Sequence, residues 1–533
     1  MSRAGLADVL PLAPAQEGLL YETLRGAAGI GTDFYVVQCR FGLAAPVDAA
    51  AVRGAVTWLL ERHPNLRACF RHQGLDQPLQ VVPDTVRLPW EEIDLAGLDP
   101  GDAEAQVQAR AAADRSRRFE LSRPPLLRCT LVRLAGGRAE LLLTAHHIVL
   151  DGWSTAVVVR ELAARYDDPG LRLPAPTPWR EYLSWLRDQD AERAAEVWRE
   201  ALAGVRAGTL VATGRPGAAS GTAAEAVVIE HELSAERTSA VRRRARAARV
   251  TVNTLVQAAW GVALARTTGR DDLLFGAVVS GRPADIPDVQ FMVGTFVNAL
   301  PVRIRLRSGE PVGELLGRIQ AEQQRLLPCQ HVRLAEVQRL AEAGELFDTL
   351  LAFENFPQDG EYAGGMRLTG MHASSHYPMS VAVTEGERMR LRFAHRPERL
   401  DRAGAEALAR RMTEAIERLS TDEHVEVLAA SAGGRQPVPR PTAESARVLS
   451  AAAAVTAQRL CGLFARVLDV PAVGVDDDFF AAGGQSLLAM RLAAAVEREL
   501  GVPVGLEAVF DAPTPAGLAA VIHRAERSSG RAD

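Results

Sequence analysis

Apolar positions recur along most of the chain with two different periods. In Ala51 to Arg62 and in Ala235 to Thr267 they return every three or four residues, which predicts helices that bury one face. In Ala139 to Thr144 and in Leu273 to Ser280 they form short uninterrupted runs, which predict buried strands. This mixture predicts an α/β fold for the larger part of the sequence.

The segment from 429 to 454 breaks the pattern, because it concentrates Ala, Pro, Gly, Ser and Arg without apolar periodicity until its end. Pro437, Pro439 and Pro441 oppose helix formation and favour a semi-extended spacer. We therefore interpret residues 429–450 as a linker between independently folding units.

The region before this linker is too long for one ordinary hydrophobic core, so we expect two lobes, residues 1–175 and residues 176–428. The region after it, residues 451–527, has helical stretches separated by loops that contain Asp, Gly and Pro, which predicts a small helical bundle. From residue 451 to the end there are ten acidic and seven basic residues, a net charge of −3. This charge suits docking to Arg-rich partners.

The overall composition is typical of a globular protein, with 47% hydrophobic and 24% charged residues among 533. The net charge is −5 and there is no long basic run, so we expect no nucleic-acid partner. The sequence shows neither a secretory leader nor a run of about eighteen apolar residues, which predicts a cytoplasmic protein without a membrane partner. The five cysteines are scattered and lack Cys-x-x-Cys spacing, so we expect reduced core residues.

Every basic residue is an arginine, since the sequence contains no lysine. A guanidinium does not deprotonate in proteins and therefore cannot act as an amine nucleophile. Enzymes that need a lysine for a phosphate loop, a pyridoxal Schiff base or adenylation are thus excluded for this stretch of sequence.

A histidine pair, His146 and His147, follows the predicted strand at Ala139 to Thr144. Asp151 and Gly152 come four residues after the second histidine, and glycine permits a tight turn. Adjacent side chains of an extended segment point to opposite sides, so one histidine can face a cavity while the other packs inward. The pattern indicates a catalytic histidine at the start of a turn.

Two other interpretations of this turn remain open. A histidine beside an apolar strand is more often a satisfied core or surface group than a catalyst. His146, His147 and Asp151 could also bind a metal, but adjacent histidines diverge and no further Cys or His cluster lies nearby. We therefore expect no metal site.

A second candidate site lies in the helical tail. The pair Gly483 and Gly484 permits a turn before Ser486, and Leu488, Leu492, Val496 and Leu500 then form one apolar stripe of a helix. Ser486 would lie at the N-terminus of this helix, where backbone N–H groups and the helix dipole favour a phosphate. The alternative is that Ser486 is only an N-cap, since serine is a favoured capping residue.

The histidine turn and five further segments, in order, resemble the motifs of condensation domains of nonribosomal peptide synthetases, relatives of chloramphenicol acetyltransferase. The further segments are PLAPAQEGLLYE (Pro11 to Glu22), ERHPNLRACF (Glu61 to Phe70), VSGRPADIP (Val279 to Pro287), MVGTFVNALPVR (Met292 to Arg303) and HYPMSVAV (His376 to Val383). The resemblance covers nearly all of residues 1–428. It implies a two-lobed, V-shaped pseudo-dimer with the active site in a tunnel, which donor and acceptor arms enter from opposite faces.

The segment DDDFFAAGGQSLLAMRL (Asp476 to Leu492) resembles the modification motif of peptidyl carrier proteins, with Ser486 in the position of the modified serine. This resemblance implies a small all-α bundle of four helices. It also implies that 4'-phosphopantetheine is a covalent cofactor on Ser486, attached by a phosphopantetheinyl transferase that uses coenzyme A.

Together the resemblances imply a condensation–carrier didomain in which a carrier-bound amine attacks a carrier-bound acyl or peptidyl thioester and forms an amide. They give a catalytic group of His147, His146, Asp151 and Gly152. His147 would face the tunnel as a neutral imidazole that removes or hydrogen-bonds an amine proton, while His146 packs below. Asp151 would hold the turn through an ion pair with Arg282, and Gly152 would let its backbone approach the reacting groups.

The implied partners follow from the order of the two domains. The usual elongation module has an adenylation domain between its condensation and carrier domains, but here the carrier follows after one linker. We therefore expect an adenylation domain in trans, an upstream donor carrier protein, and aminoacyl or peptidyl thioesters as substrates.

Other members of the superfamily are weaker interpretations. An epimerization domain shares the histidine pair but normally follows its carrier, and the segment DGWS resembles condensation domains. A heterocyclization domain has an aspartate at the position of His146. A non-catalytic platform that recruits a tailoring enzyme is disfavoured by the intact His147 and Asp151, and ester formation in place of amide formation stays open.

Overall fold

The computed structural model of the chain describes residues 5–28, 34–212, 225–354, 360–421, 451–468, 470–479, 482, 486–502, 504, 508–509 and 512–529. The linker interpreted at residues 429–450 lies outside the described residues, as do Gly483 and Gly484.

Strands and helices alternate through the larger part of the chain, and helices alone make up the described secondary structure of the tail. The strands are β1 (Leu6–Pro11), β2 (Val36–Leu43), β3 (Cys69–Arg71), β4 (Leu79–Pro83), β5 (Trp90–Asp94), β6 (Leu127–Arg133), β7 (Ala139–His146), β8 (Val227–Glu232), β9 (Asp272–Val279), β10 (Asn298–Arg305), β11 (Thr349–Glu354), β12 (Gly360–Glu361), β13 (Met366–Ala373), β14 (Met379–Thr384) and β15 (Arg390–His395). The helices are α1 (Pro14–Ala28), α2 (Ala49–Arg62), α3 (Pro100–Ser116), α4 (Gly152–Asp167), α5 (Trp179–Arg187), α6 (Ala191–Leu202), α7 (Ala235–Ala247), α8 (Val252–Thr268), α9 (Val312–Leu326), α10 (Leu334–Ala341), α11 (Arg402–Thr421), α12 (Ala451–Leu468), α13 (Ser486–Leu500) and α14 (Pro515–Ser529).

The two predicted strands are confirmed. All eight residues of β7 are buried between β2 and β6, both of which pair with it in antiparallel register. A strand covered on both faces reads as a continuous apolar run, which is the pattern that predicted it. β7 continues two residues past the predicted end at Thr144, and β9 begins and ends one residue before the predicted bounds.

The predicted helix at Ala51 to Arg62 is confirmed as α2, where the Asp48 side chain accepts hydrogen bonds from the first backbone N–H groups. The helical stretch Ala235 to Thr267, in contrast, is two helices. α7 ends at Ala247 and α8 begins at Val252, because Arg249 has a φ of +57° and Thr251 caps the second helix through the Thr254 N–H.

Two six-stranded sheets form the framework of the larger region. The first has the order β12-β13-β2-β7-β6-β5, and the second has the order β10-β9-β11-β14-β15-β8. A three-stranded sheet of β1, β4 and β3 accompanies the first. Most neighbouring strands are antiparallel. The parallel pairs are β11 with β9 and with β14 in the second sheet, and β5 with β6 in the first sheet.

The second lobe contributes a strand to the sheet of the first lobe. β13 lies within residues 176–428, yet it pairs with β2 in the first sheet, where Ala373 is opposite Val37 and Met366 is opposite Leu43. The division of the chain into lobes at residues 1–175 and 176–428 stays a prediction. The first sheet nevertheless needs residues from both ranges.

Each lobe has its own hydrophobic core. In the first, Phe41 and Phe70 are fully buried among side chains of β2, β7, α2 and α4. In the second, α8 and α11 pack together and cover the sheet through Trp260, Phe275 and Phe393. Fully buried aromatic side chains of this kind contribute much of the apolar area removed from water.

The tail forms a separate helical core. α12 packs against α14 and α13, and the rings of Phe464 and Phe479 meet edge to face with centroids 5.2 Å apart. Leu492 and Val496 of the predicted stripe are buried in this core, and Leu500 packs against it. The Leu488 side chain lies outside the described residues.

All five cysteines are free and buried, as predicted, and burial raises the pKa of the Cys39 thiol to about 12. Within the described residues, no helix is both long enough and apolar enough to cross a membrane.

Candidate active site and carrier serine

The histidine turn is pinned by backbone hydrogen bonds at both of its histidines. The N–H of His146 donates to the carbonyl of Leu126 at 3.0 Å, and the N–H of His147 donates to the carbonyl of Tyr35 at 2.7 Å. His146 is the last residue of β7 and His147 follows it, so the sheet fixes the backbone of both histidines. α4 begins at Gly152, immediately beyond the turn.

His146 points into the first lobe. Its side chain has no solvent exposure, its Nδ1 accepts a hydrogen bond from the N–H of Ile148 at 3.1 Å, and its Nε2 lies 3.2 Å from the hydroxyl of Thr23. Because Nδ1 accepts, a neutral ring carries its proton on Nε2 and donates it to Thr23. His146 thus packs beneath the site, as expected, and its place in the catalytic group of four residues stays a prediction.

His147 points the other way and lines a cavity of about 1520 Å³ that both lobes enclose. Burial lowers the pKa of His147, with Asp151 and the backbone carbonyl of His147 itself acting against this shift. The imidazole is therefore neutral at pH 7. The hydroxyl of Thr295 donates to the His147 carbonyl at 2.6 Å and fixes the residue from the second lobe.

Asp151 is fully buried and satisfied on both oxygens. Oδ1 accepts from the N–H of Ser154 at 2.7 Å, which caps α4, and Oδ2 accepts from the N–H of Phe296 at 3.0 Å. Nη2 of Arg282 lies 3.3 Å from Oδ1, so the ion pair expected between these two residues is present in the structure.

Arg282 is itself held on several sides. Its Nη1 donates to the carbonyls of Val289 and Met292 at 2.6 and 3.0 Å, and its guanidinium lies 3.9 Å from the centroid of the Phe296 ring. Only 6% of its side chain is exposed. A buried charge is tolerable when it is paired and held by further hydrogen bonds, as it is here.

Two glycines let these segments come together. Gly281 has a φ of +61°, and a Cβ there would lie 1.9 Å from the carbonyl oxygen of Phe296. Gly294 packs against the Trp179 ring, and its carbonyl accepts from the hydroxyl of Ser154 at 2.7 Å. The segments VSGRPADIP and MVGTFVNALPVR therefore converge under the histidine turn.

Sequence reasoning missed a second polar pair in the cavity wall. The Tyr35 hydroxyl lies 2.5 Å from Nδ1 of His376, and both side chains line the same cavity as His147. Burial raises the pKa of Tyr35 and lowers that of His376, so both groups are neutral and the phenol donates. His376 is the first residue of the HYPMSVAV segment. A histidine next to a largely apolar run was the one sequence feature that could have indicated this pair.

Gly152 also lines the cavity, as the first residue of α4. His147 and Gly152 therefore face the same space, whereas Asp151 and Arg282 lie beneath it.

Ser486 is the first residue of α13, as predicted; its side chain lies outside the described residues. The backbone position fits a phosphate ester, because the first N–H groups of a helix are unpaired and the helix dipole favours negative charge there. α13 lies against α1 of the first lobe, Arg498 is 3.6 Å from Asp76, and Ala482 lines the mouth of the cavity. Ser486 follows Ala482 by four residues, so the start of α13 lies near the α1 side of the cavity that contains His147.

The fold and this site define a two-lobed acyltransferase joined to a carrier bundle. The model of the condensation domain family matches residues 6–429, and the model of the phosphopantetheine attachment site matches residues 458–522. The chain therefore belongs to the condensation domain family of nonribosomal peptide synthetases and continues into a carrier domain. Condensation domains of this kind are acyltransferases that form peptide bonds, and the carrier domain bears covalent 4'-phosphopantetheine on a serine.

One relative is the chondramide synthase of Chondromyces crocatus, which is 35% identical over 70% of this chain. The chain spans only 10% of the length of that protein. Among solved structures, the first condensation domain of the calcium-dependent antibiotic synthetase in complex with a substrate analogue matches 79% of this chain and 98% of its own, with 22% identity and a TM-score of 0.66. An X-domain in complex with OxyB from teicoplanin biosynthesis matches 79% of this chain and 96% of its own, with 22% identity and the same TM-score.

Replacing Asp151 with alanine should lower the free energy of unfolding by about 3–5 kcal/mol, because the buried Arg282 would lose its counter-charge and α4 its cap. Urea unfolding followed by fluorescence measures this change. The exposed Asp188, which forms an ion pair with the neighbouring Arg187, provides the control. Asp188→Ala should change stability by less than about 0.5 kcal/mol. Equal stability of the two variants would contradict the structural role of Asp151.

Proposed function

We propose that the chain forms an amide bond by attack of a carrier-bound amine on a carrier-bound acyl or peptidyl thioester. The observation that carries the proposal is the neutral imidazole of His147, which opens onto a cavity enclosed by both lobes with the carrier at one entrance.

In this mechanism His147 acts on the attacking amine. Amines of this type have pKa values of about 7.7–8.0 in water, so a neutral imidazole can accept or hold the proton that the amine loses as it attacks. General base assistance contributes about 10²–10⁴-fold. Orientation of two bound reactants contributes about 7–11 kcal/mol of the barrier, so placement of the substrates is the larger effect.

The residues beneath His147 keep it in place. Asp151 and Arg282 join the turn to the second lobe, His146 anchors the turn in the first lobe, and Gly152 leaves the cavity open above the start of α4. None of these needs to exchange a proton during the reaction. Their contribution is a fixed geometry for the imidazole, which is what catalysis by positioning requires.

The placement of the carrier supports an acceptor role for Ser486. When bound there, 4'-phosphopantetheine supplies a thiol that carries the cargo as a thioester. Because α13 lies against α1 and Ala482 lines the mouth, the cargo of this carrier would enter from that side. The donor then comes from an upstream carrier through another entrance. Loading of Ser486 requires an adenylation domain outside residues 1–533, since a lysine-dependent adenylating enzyme is excluded within them.

A recruitment platform would not require His147 to face a cavity or Asp151 and Arg282 to be paired. Both features are intact, so the catalytic function is the better supported of the two. Ester formation would use the same geometry with a hydroxyl acceptor.

His147→Ala should reduce the rate of amide formation by about 10²-fold or more, because the general base and its hydrogen bond to the amine are both lost. The measurement is single-turnover transfer with loaded carriers, followed by mass spectrometry. His231→Ala is the control, since His231 bonds Thr413 of α11 outside the cavity. A rate for His147→Ala within a factor of two of the His231→Ala rate would contradict the proposal.

The pH dependence of the same step should separate the two titrating groups. Both the amine and His147 must be deprotonated, and burial puts the pKa of His147 below its ordinary value of about 6.5. The logarithm of the rate should therefore rise with pH with a slope near two below that pKa and a slope near one between it and the amine pKa of about 7.7–8.0, and it should level off above the amine pKa. In His147→Ala the slope should stay near one at every pH below the amine pKa, and an unchanged profile in this variant would count against the assigned role.

Ser486→Ala should abolish attachment of the cofactor, because the hydroxyl that forms the phosphodiester is removed. The readout is the mass of the intact chain after incubation with coenzyme A and a phosphopantetheinyl transferase. Ser528→Ala, near the end of α14, should gain the full mass increment. Retention of the increment by Ser486→Ala would place the attachment elsewhere.

A further inference from the structure

The cavity continues beyond His147, away from the mouth beside α1. β11 and β14 begin near α10, where the rings of Phe347 and Tyr377 stack with centroids 5.9 Å apart in one cluster with Val337 of α10. The two strands then run parallel to each other, so their C-terminal residues, Glu354 and Thr384, lie side by side at the end remote from α10. Glu354 lines the cavity there.

Small side chains make room along this part of the second sheet. Between β11 and β14, Ala352 is opposite Ala382. Between β14 and β15, Ala382 is opposite Arg392 and Ser380 is opposite Ala394. These residues therefore share one face of the sheet. All of them line the cavity. We call this surface the distal slot; it consists of Ala352, Glu354, Ser380, Ala382, Arg392 and Ala394.

The opposite wall comes from the first sheet and is apolar. Val37 of β2 and Ala373 of β13 are paired with each other, and both line the cavity together with Met371. The slot begins beside the Tyr35 and His376 pair, since the hydroxyl of Ser375 lies 2.6 Å from that of Ser380. A group held at His147 could therefore extend into the slot without leaving the cavity.

The far end of the slot is charged. Glu354 and Arg392 both line it, and burial raises the pKa of Glu354 to about 7, with Arg392 and a hydrogen bond from Thr384 acting in the opposite direction. An apolar ligand beside this carboxyl group would leave it desolvated and unpaired, which costs free energy. A ligand with a cation or hydrogen-bond donors would instead stabilise it.

The length of the slot limits its ligand. From Ser380 to Thr384 the strand advances four residues, or about 13 Å at about 3.3 Å per residue. An extended peptide covers this distance with about four residues. The acceptor cannot fill it, because the amine of the acceptor must stop at His147 to react there.

We infer that the distal slot binds the acyl donor as a short peptide, about four residues long, whose protonated amino terminus reaches Glu354. This inference rests on the proposed condensation function and adds a substrate class to it. Arg392 donates a hydrogen bond to a peptide carbonyl at the same end, and the small residues of the floor leave space for the donor backbone. Glu354 is then a specificity-determining residue for the donor.

The test uses the full chain with Ser486 modified and loaded with alanine, and three donors as soluble thioesters: tetraalanyl with a free amino terminus, the same peptide N-acetylated, and decanoyl. The wild-type chain should transfer the free peptide with a kcat/KM about ten-fold or more above that of the acetylated peptide, since a charge-assisted hydrogen bond is lost on acetylation. Glu354→Gln should remove this preference by slowing transfer of the free peptide alone.

The matched control is Glu387→Gln, which changes an exposed glutamate of the turn between β14 and β15, outside the cavity. It should keep the wild-type preference. If the wild-type chain transfers the free and the acetylated peptide equally, the inference is overturned, and this outcome does not depend on whether any variant folds. A preference for the free peptide that persists in Glu354→Gln also overturns it. If the wild-type chain transfers none of the three donors, the condensation function fails, and the donor inference fails with it.

Discussion

The carboxylate of Asp151 is the point at which the two lobes are joined beneath the cavity. It has no solvent exposure, and it receives the Ser154 N–H from its own lobe and the Phe296 N–H and Arg282 guanidinium from the other. Burying such a pair costs several kcal/mol per ion in desolvation, and this cost is offset only when further hydrogen bonds accompany the pairing. Arg282 meets the condition through two backbone carbonyls and the Phe296 ring.

This constraint holds the backbone of the histidine turn above it. The N–H of His147 is tied to Tyr35, its carbonyl is tied to Thr295, and the neighbouring His146 is locked by Thr23. These contacts fix the backbone at His147 from both lobes, and the His147 ring lines the cavity. A catalyst that works mainly by orientation depends on such rigidity, because errors of about 1 Å in placement are expensive.

Local patterns were sufficient for much of this arrangement. The apolar run of β7 predicted a strand buried on both faces, and the alternation of side chains along it predicted that one histidine would face a cavity while the other packed inward. Arg282 was found only because its segment resembled a family motif. The break between α7 and α8 was missed, since apolar periodicity continues across Arg249 while the positive φ there depends on the surrounding fold. The pairing of Tyr35 with His376 joins residues far apart in the chain, for which no local pattern exists.

The cavity also has chemically different ends. One lies beside α1 and the carrier bundle, and the other ends at Glu354 and Arg392 on a floor of small residues. In the proposed mechanism, the two substrates that meet at His147 thus encounter different surroundings on either side, and discrimination between them can be adjusted on one side without changing the other.

The position of β13 in the first sheet has a practical consequence for recombining synthetases of this kind. Since this strand leaves the second half of the sequence to complete the first sheet, separating the chain at the apparent lobe boundary would strip β2 of a neighbour and expose a hydrogen-bonding edge. Grafts between relatives should therefore transplant residues 6 to 421 as one piece. In a hybrid of two halves, strands from different proteins would have to pair in one sheet.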